Sequence, residues 1–108
     1  MEFIEYPRFS KRLPNIASDY ELQLLQKELR ANPEKGDLIQ GTGGARKIRM
    51  AIGTKGKSGG ARVIYYFKVS VELVVLIDIY GKGEKADLTA SERKFISDLI
   101  LVLKEKKL

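Results

Sequence analysis

Two stretches decide the fold: Arg46-Lys47-Ile48-Arg49-Met50-Ala51-Ile52, and then Ala61-Arg62-Val63-Ile64-Tyr65-Tyr66-Phe67-Lys68. In the first, Lys47, Arg49 and Ala51 alternate with Ile48, Met50 and Ile52, the period of a strand with one cationic and one apolar face. In the second, Arg62, Ile64, Tyr66 and Lys68 share one face, while Val63, Tyr65 and Phe67 share the other and point into a core. The basic, glycine-containing segment from Gly53 to Gly60 joins the two as a long-looped hairpin. Further on, Val71 to Tyr80 (VELVVLIDIY) is almost continuously apolar and β-branched, which predicts a strand in mid-sheet, covered for much of its length.

Working outward, each flank of this sheet reads as a helix. Ser18 with Glu21 three residues later is a capping box, after which Leu22, Leu25 and Leu29 fall on one helical face until Asn32-Pro33. Thr89 with Glu92 repeats the device. It opens a helix to about Lys106 whose apolar stripe is Phe95, Ile96, Leu99, Ile100, Val102 and Leu103. Met1 to Tyr6 reads as a short strand ended by Pro7, and Arg8 to Leu13 as a short helical turn. Lys35-Gly36-Asp37 is a turn, and the glycines at 41, 43 and 44 mark an irregular connection. The expected fold is one α+β domain over residues 1–108, a small twisted antiparallel sheet with the helices packed on one face and the cationic face left open.

Charge is segregated along the chain. Between Asp37 and Glu72 there is no acid, and seven bases stand there: Arg46, Lys47, Arg49, Lys55, Lys57, Arg62 and Lys68. The rest of the chain holds 13 bases against 14 acids, so the whole net charge of +6 belongs to that segment. A polyanion-binding surface has this distribution. With no cysteine and no histidine, thiol chemistry, disulfides and the usual neutral-pH acid or base are excluded, leaving Lys, Arg, Tyr and carboxylates for any catalysis. No metal or other cofactor is implied. Gly56-Lys57-Ser58 loosely matches a phosphate loop, yet a strand-like segment follows where such a loop opens a helix. No apolar run reaches the ~20 residues of a membrane span, and the acidic start at Glu2 and Glu5 does not resemble a secretory leader. A cytoplasmic location is expected.

The stretches GTGGARKIRMA, KSGGARVIYYF and IYGKGEKADLT resemble the signature segments of the RelE/ParE toxin superfamily, in its HigB-like branch. The likeness spans most of the chain and keeps its order: Asn32-Pro33, Gly36-Asp37, Arg46 to Arg49, Arg62 opening a Tyr-rich strand, and Lys82 after the glycine at the last strand's end. It implies the toxin of a type II toxin-antitoxin pair that cuts mRNA in the ribosomal A site. Its implied partners are mRNA, the small ribosomal subunit and a DNA-binding antitoxin of helix-turn-helix type. The sequence departs from the better-studied RelE pattern where an arginine and a tyrosine are replaced by Gly83 and Thr89. The general acid therefore stays open among Lys82, Lys85 and Glu84.

The residues fit such chemistry. RNA carries its own nucleophile, the 2′-hydroxyl, so an enzyme need only favour its deprotonation, stabilise the phosphorane charge and help the 5′-oxygen leave. Arg62 is the expected phosphate clamp. Lys47, Arg49 and Lys82 complete the catalytic candidates, and a cluster of cations lowers a lysine's pKa, which makes Lys47 or Lys82 a candidate base. Arg46, Lys55, Lys57, Tyr66, Lys68 and Lys85 are candidates for RNA or ribosome contact, with Tyr66 positioned to stack a base. Two other readings compete: a gyrase poison of the same superfamily, and an RNA-binding module without catalysis. Asp78, Glu84 and Asp87 read as turn caps or partners for neighbouring bases.

Overall fold

A computed structural model describes residues 1–54, 59–81, 83, 84 and 87–106. The sheet has five strands in the order β1-β5-β4-β3-β2, where β1 is Glu2–Glu5, β2 Asp37–Leu38, β3 Arg46–Met50, β4 Ala61–Lys68 and β5 Leu73–Gly81. The helices are α1 (Pro7–Arg12), α2 (Asp19–Ala31) and α3 (Ala90–Glu105), with a 3-10 turn over Leu13–Asn15 after α1. Both capping boxes form: Ser18 Oγ accepts the Glu21 N–H and Glu21 Oε1 accepts the Ser18 N–H, and Thr89 and Glu92 do the same. Each box satisfies donors that a helix start leaves unpaired. The other Glu21 oxygen accepts the Gly53 N–H, which ties the root of the β3–β4 connection to α2.

The α+β class holds, with two amendments to the sequence reading. First, the sheet is antiparallel except that β1 runs parallel to β5, pairing Phe3 with Val74 and Ile4 with Val75. A chain that must cross from one sheet edge to the other between Glu5 and Asp37 has the length for such a connection, and two helices fill it. Second, the helices are not all on one face. Phe9, Leu13, Leu22, Leu25 and Leu29 pack with Ile48, Met50, Val63, Tyr65, Val74 and Leu76 on one side. Ile96, Ile100 and Leu103 of α3 pack with Ile64, Tyr66, Val75, Ile77 and Tyr80 on the other. The physical reason lies in β4 and β5, whose residues alternate between faces yet are apolar on both, so that each face needs a cover. The run of nine residues in β5 is buried from Leu73 to Tyr80, in agreement with a strand inside the sheet.

A bulge opposite Ile64 and Tyr65 inserts Ile77 into β5, and beside it Asp78 is buried among apolar neighbours. Its carboxylate is held by Arg12 at 3.2 Å and Arg8 at 3.8 Å and accepts the Ile79 N–H at 2.8 Å, so α1 is fastened to the sheet edge by charge as well as by Phe9. Arg8 also lies over the Phe95 ring, with Tyr6 edge-on to it, joining α1 to α3.

The turn after α2 is fixed from beneath. The wholly buried Tyr65 donates its hydroxyl to the Pro33 carbonyl at 2.7 Å and accepts the Gly36 N–H at 2.9 Å. A Cβ on Gly36 would lie 2.8 Å from the Tyr65 ring and 3.0 Å from the Lys47 carbonyl. Only glycine fits there. Gly36→Ala is expected to destabilise the fold by about 1–3 kcal/mol through overpacking, and Tyr65→Phe by about 1–3 kcal/mol by stranding two buried groups. Urea unfolding measures both, and either variant unfolding like the parent would contradict this account.

Candidate nucleic-acid interface

Register places three of the predicted site residues together. Asp37, Lys47, Ile64 and Asp78 form one cross-strand row over β2, β3, β4 and β5, and Arg49, Arg62 and Tyr80 form the next. Rows two residues apart share a face and lie about 7 Å from each other, so Lys47, Arg49, Arg62 and Tyr80 are one patch. It sits at the end of the sheet where β3 begins its free edge, since β2 pairs only with Arg46 and Lys47. A groove of about 520 Å³ wraps this edge, lined by Lys47, Arg49 and Arg62 with Glu28, Lys35 and Asp37.

The two arginines of the patch lack a close counterion among the described residues. Arg49 and Arg62 stand directly opposite each other, an arrangement of like charges that destabilises a sheet. Among the described residues, no acid comes within ion-pair distance of either guanidinium. Arg62 Nη1 is buried without a hydrogen-bond partner, and a buried unpaired donor calls for a ligand or a functional cause. Beneath it, Tyr80 is fully buried. Burial first, and then the negative charge of Asp87, pushes its phenol above the ordinary tyrosine value, so it stays protonated at neutral pH.

Two further groups complete the patch, and the sequence reading had not placed them in the site. Asp87, in the segment leading into α3, has one carboxylate oxygen 3.8 Å from Lys47 Nζ, and the other accepts a hydrogen bond from Arg93 Nη2 at 2.8 Å. Arg93 extends from the first turns of α3, and its Nε is buried without a partner. The reading of Asp87 as a turn cap and partner of nearby bases agrees with these contacts and with its bond from the Leu88 N–H. Only packing shows that those bases are Lys47 and Arg93. Nothing in the local periodicity puts α3 over this end of the sheet.

The remaining candidates lie elsewhere. Arg46 donates to the Glu34 and Gly36 carbonyls and pairs with the Glu34 carboxylate at 3.3 Å, so its guanidinium holds the turn after α2. Tyr66 is buried under α3 and against Gly44, a residue at φ +130° that favours glycine. It is four residues along β4 from Arg62, about 13 Å away, and little of its ring is exposed. Lys68 is buried, and its ammonium donates to the Leu103 carbonyl at 2.6 Å and to the Lys106 carbonyl. These are the orphan acceptors of α3's last turn, where a cation also opposes the helix dipole. Strand period correctly gave Tyr66 and Lys68 the face of Arg62, but could not show that α3 covers it. Lys55, Lys57, Lys82 and Lys85 fall outside the described residues. Among the described residues, no group of acids stands close enough to hold a metal ion, and no helix is long and apolar enough to cross a membrane.

No protein-family model matches the sequence. Among solved structures, the crystal structure of the isolated E. coli RelE toxin is similar to this chain, with a TM-score of 0.53 and 21% identity. The likeness covers 90% of this chain and 96% of RelE. The α+β sheet described above is thus a RelE-like fold.

Two outcomes are expected here. The Leu88 N–H, then Lys47 and Arg93, hold the Asp87 carboxyl below the ordinary aspartate value. With a depressed folded value, its stabilising contribution is complete above the unfolded pKa of about 3.9 and is lost as pH falls through the folded value. Carboxyl NMR should give a midpoint below that reference, moving upward in Lys47→Met; a midpoint at or above it would contradict these contacts. For Lys68→Ala, a loss of about 1–3 kcal/mol is expected from the stranded carbonyls, with faster amide exchange in α3's last turn.

Proposed function

We propose that this chain is the toxin of a toxin-antitoxin pair, an endoribonuclease that cuts mRNA on the ribosome. The observation that carries the reading is the Arg49–Arg62 pair: two arginines directly opposite each other that form no ion pair with an acid among the described residues, one with a buried unpaired nitrogen, beside Lys47. The RelE-like fold supports it, and the finer HigB-like assignment rests on the ordered sequence stretches. A structural cluster would be expected to carry its own counterions, because like charges held together weaken a sheet. For this arginine pair the counterion is to come from the substrate.

The chemistry follows from the patch. The 2′-oxygen attacks the adjacent phosphorus, the bond to the 5′-oxygen breaks, and the leaving oxygen takes up a proton. The products carry a 2′,3′-cyclic phosphate and a 5′-hydroxyl. Arg62 and Arg49 bind the non-bridging oxygens and stabilise the charge that develops on them. Lys47 lies one row away, within reach of the same phosphate, and orients it. Lys82, which follows Gly81 at the end of β5, is assigned to proton transfer, with Lys85 or Glu84 as the alternative. Lys55 and Lys57 add attraction to the backbone of the RNA or the ribosome. The partners in this reading are mRNA, the small ribosomal subunit and a DNA-binding, helix-turn-helix antitoxin whose acidic segment would cover the cations.

Primer extension on transcripts from cells expressing the chain should show cuts within translated codons. Arg62→Ala should lower cutting about 10²- to 10³-fold, the usual loss when one donor to a developing anion is removed. Undamaged transcripts with normal protein synthesis would reject the reading, DNA breaks with intact transcripts would indicate a gyrase poison, and RNA binding without cuts would leave a binding module.

A further inference from the structure

We propose that Asp87 is a built-in counterion of the cationic patch, a positioning residue that a phosphate of bound single-stranded RNA displaces. The inference rests on the RNA reading above and adds to it a fourth cation, Arg93, and a resting state. Lys47 and Arg93 come from separate elements, β3 and α3, and the Asp87 carboxylate brings them to one point. Its two oxygens address the two cations separately, as the non-bridging oxygens of a phosphodiester can. Asp87 itself is more than half exposed and reaches the cations from a short lead-in to the helix, so it can be replaced without moving the core. Arg93 has unused capacity: one of its nitrogens bonds Asp87 while Nε is buried and unpaired. Arg93 also borders a hollow lined by Gln40, Gly41, Ser97 and the Lys94–Asp98 ion pair. Arg62, Lys47 and Arg93 therefore trace a path for consecutive phosphates, leading off the sheet onto the first turns of α3.

The exchange has a consequence for salt dependence. Binding to free cations releases bulk counterions, whereas binding that displaces an internal carboxylate releases fewer. Removing the carboxylate charge should thus both tighten RNA binding and steepen its salt response.

The experiment is a fluorescence-anisotropy titration with a short single-stranded 2′-O-methyl RNA, which cannot be cut because its 2′-oxygens are blocked, at several salt concentrations. Asp87→Asn is expected to bind about three- to tenfold more tightly at low salt, the scale of two exposed ion pairs, with a log–log slope steeper by about 0.7 per freed phosphate contact. Asp87→Glu should keep the parent's slope, and Arg93→Gln should weaken binding several-fold in both backgrounds. Thermal melts of each variant check that the fold is intact. An unchanged or weakened affinity in Asp87→Asn, Asp87→Glu behaving like Asp87→Asn, or no measurable binding by any variant would overturn the proposal. Failure of the ribonuclease reading is seen separately: transcripts stay intact while the binding signature persists. Normal cutting with an unmoved binding curve would sink this inference alone.

Discussion

Strands β4 and β5 are apolar on both faces, and this constraint organises the molecule. A one-sided sheet could be closed by α1 and α2 alone. Here Ile64, Tyr66, Val75 and Ile77 form a second apolar surface, and α3 must lie on it. The cover cannot reach everything. It covers only in part the end of the sheet where Arg62 replaces an apolar residue in β4, and leaves Arg49 exposed on the outer strand β3, where Lys47 and Arg49 occupy the positions facing α3's side. The cationic patch thus lies at the margin of the second face's cover.

Charge within the molecule is sorted by depth. Where an acid is buried, as at Asp78, two arginines from α1 reach it and a backbone amide bonds it, as burial of a carboxylate requires. Where cations cluster, at Arg49 and Arg62, they form no ion pair with an acid among the described residues, and Asp87, bonded to Lys47 at one end of the patch, is more than half exposed. The asymmetry is the observation on which the proposed RNA reading rests: a sheet stabilised for its own sake would be expected to pair these charges as it pairs Asp78.

Much of this was legible from residue order. Both helix starts followed from Ser18-x-x-Glu21 and Thr89-x-x-Glu92, because a capping box is a local hydrogen-bond pattern. The strand faces followed from the period of two, which set Lys47, Arg49 and Arg62 on one side. The two residues of β2 are too few to show a period, and the parallel pairing of β1 is a non-local choice. What lay beyond reach was the partner of each cation. Arg46, Lys47 and Lys68 are equivalent as basic strand residues, yet one holds a turn, one faces the groove and one closes the end of a helix. Tertiary packing alone separates them. Arg93 escaped notice because it sits outside the acid-free segment, among residues of mixed charge.

The free edge of β3 has a further consequence. Past Lys47 no strand covers its outer backbone among the described residues, and an open edge with Ile48 and Met50 alternating along it is a template for pairing with another copy of the chain. The same lysine and arginine that would grip a phosphate keep that edge from zipping onto a second molecule by mutual repulsion. Disarming the patch by neutral substitution would therefore also expose the protein to self-association, so the charges that guard the edge and those proposed to hold phosphate are a single set of side chains.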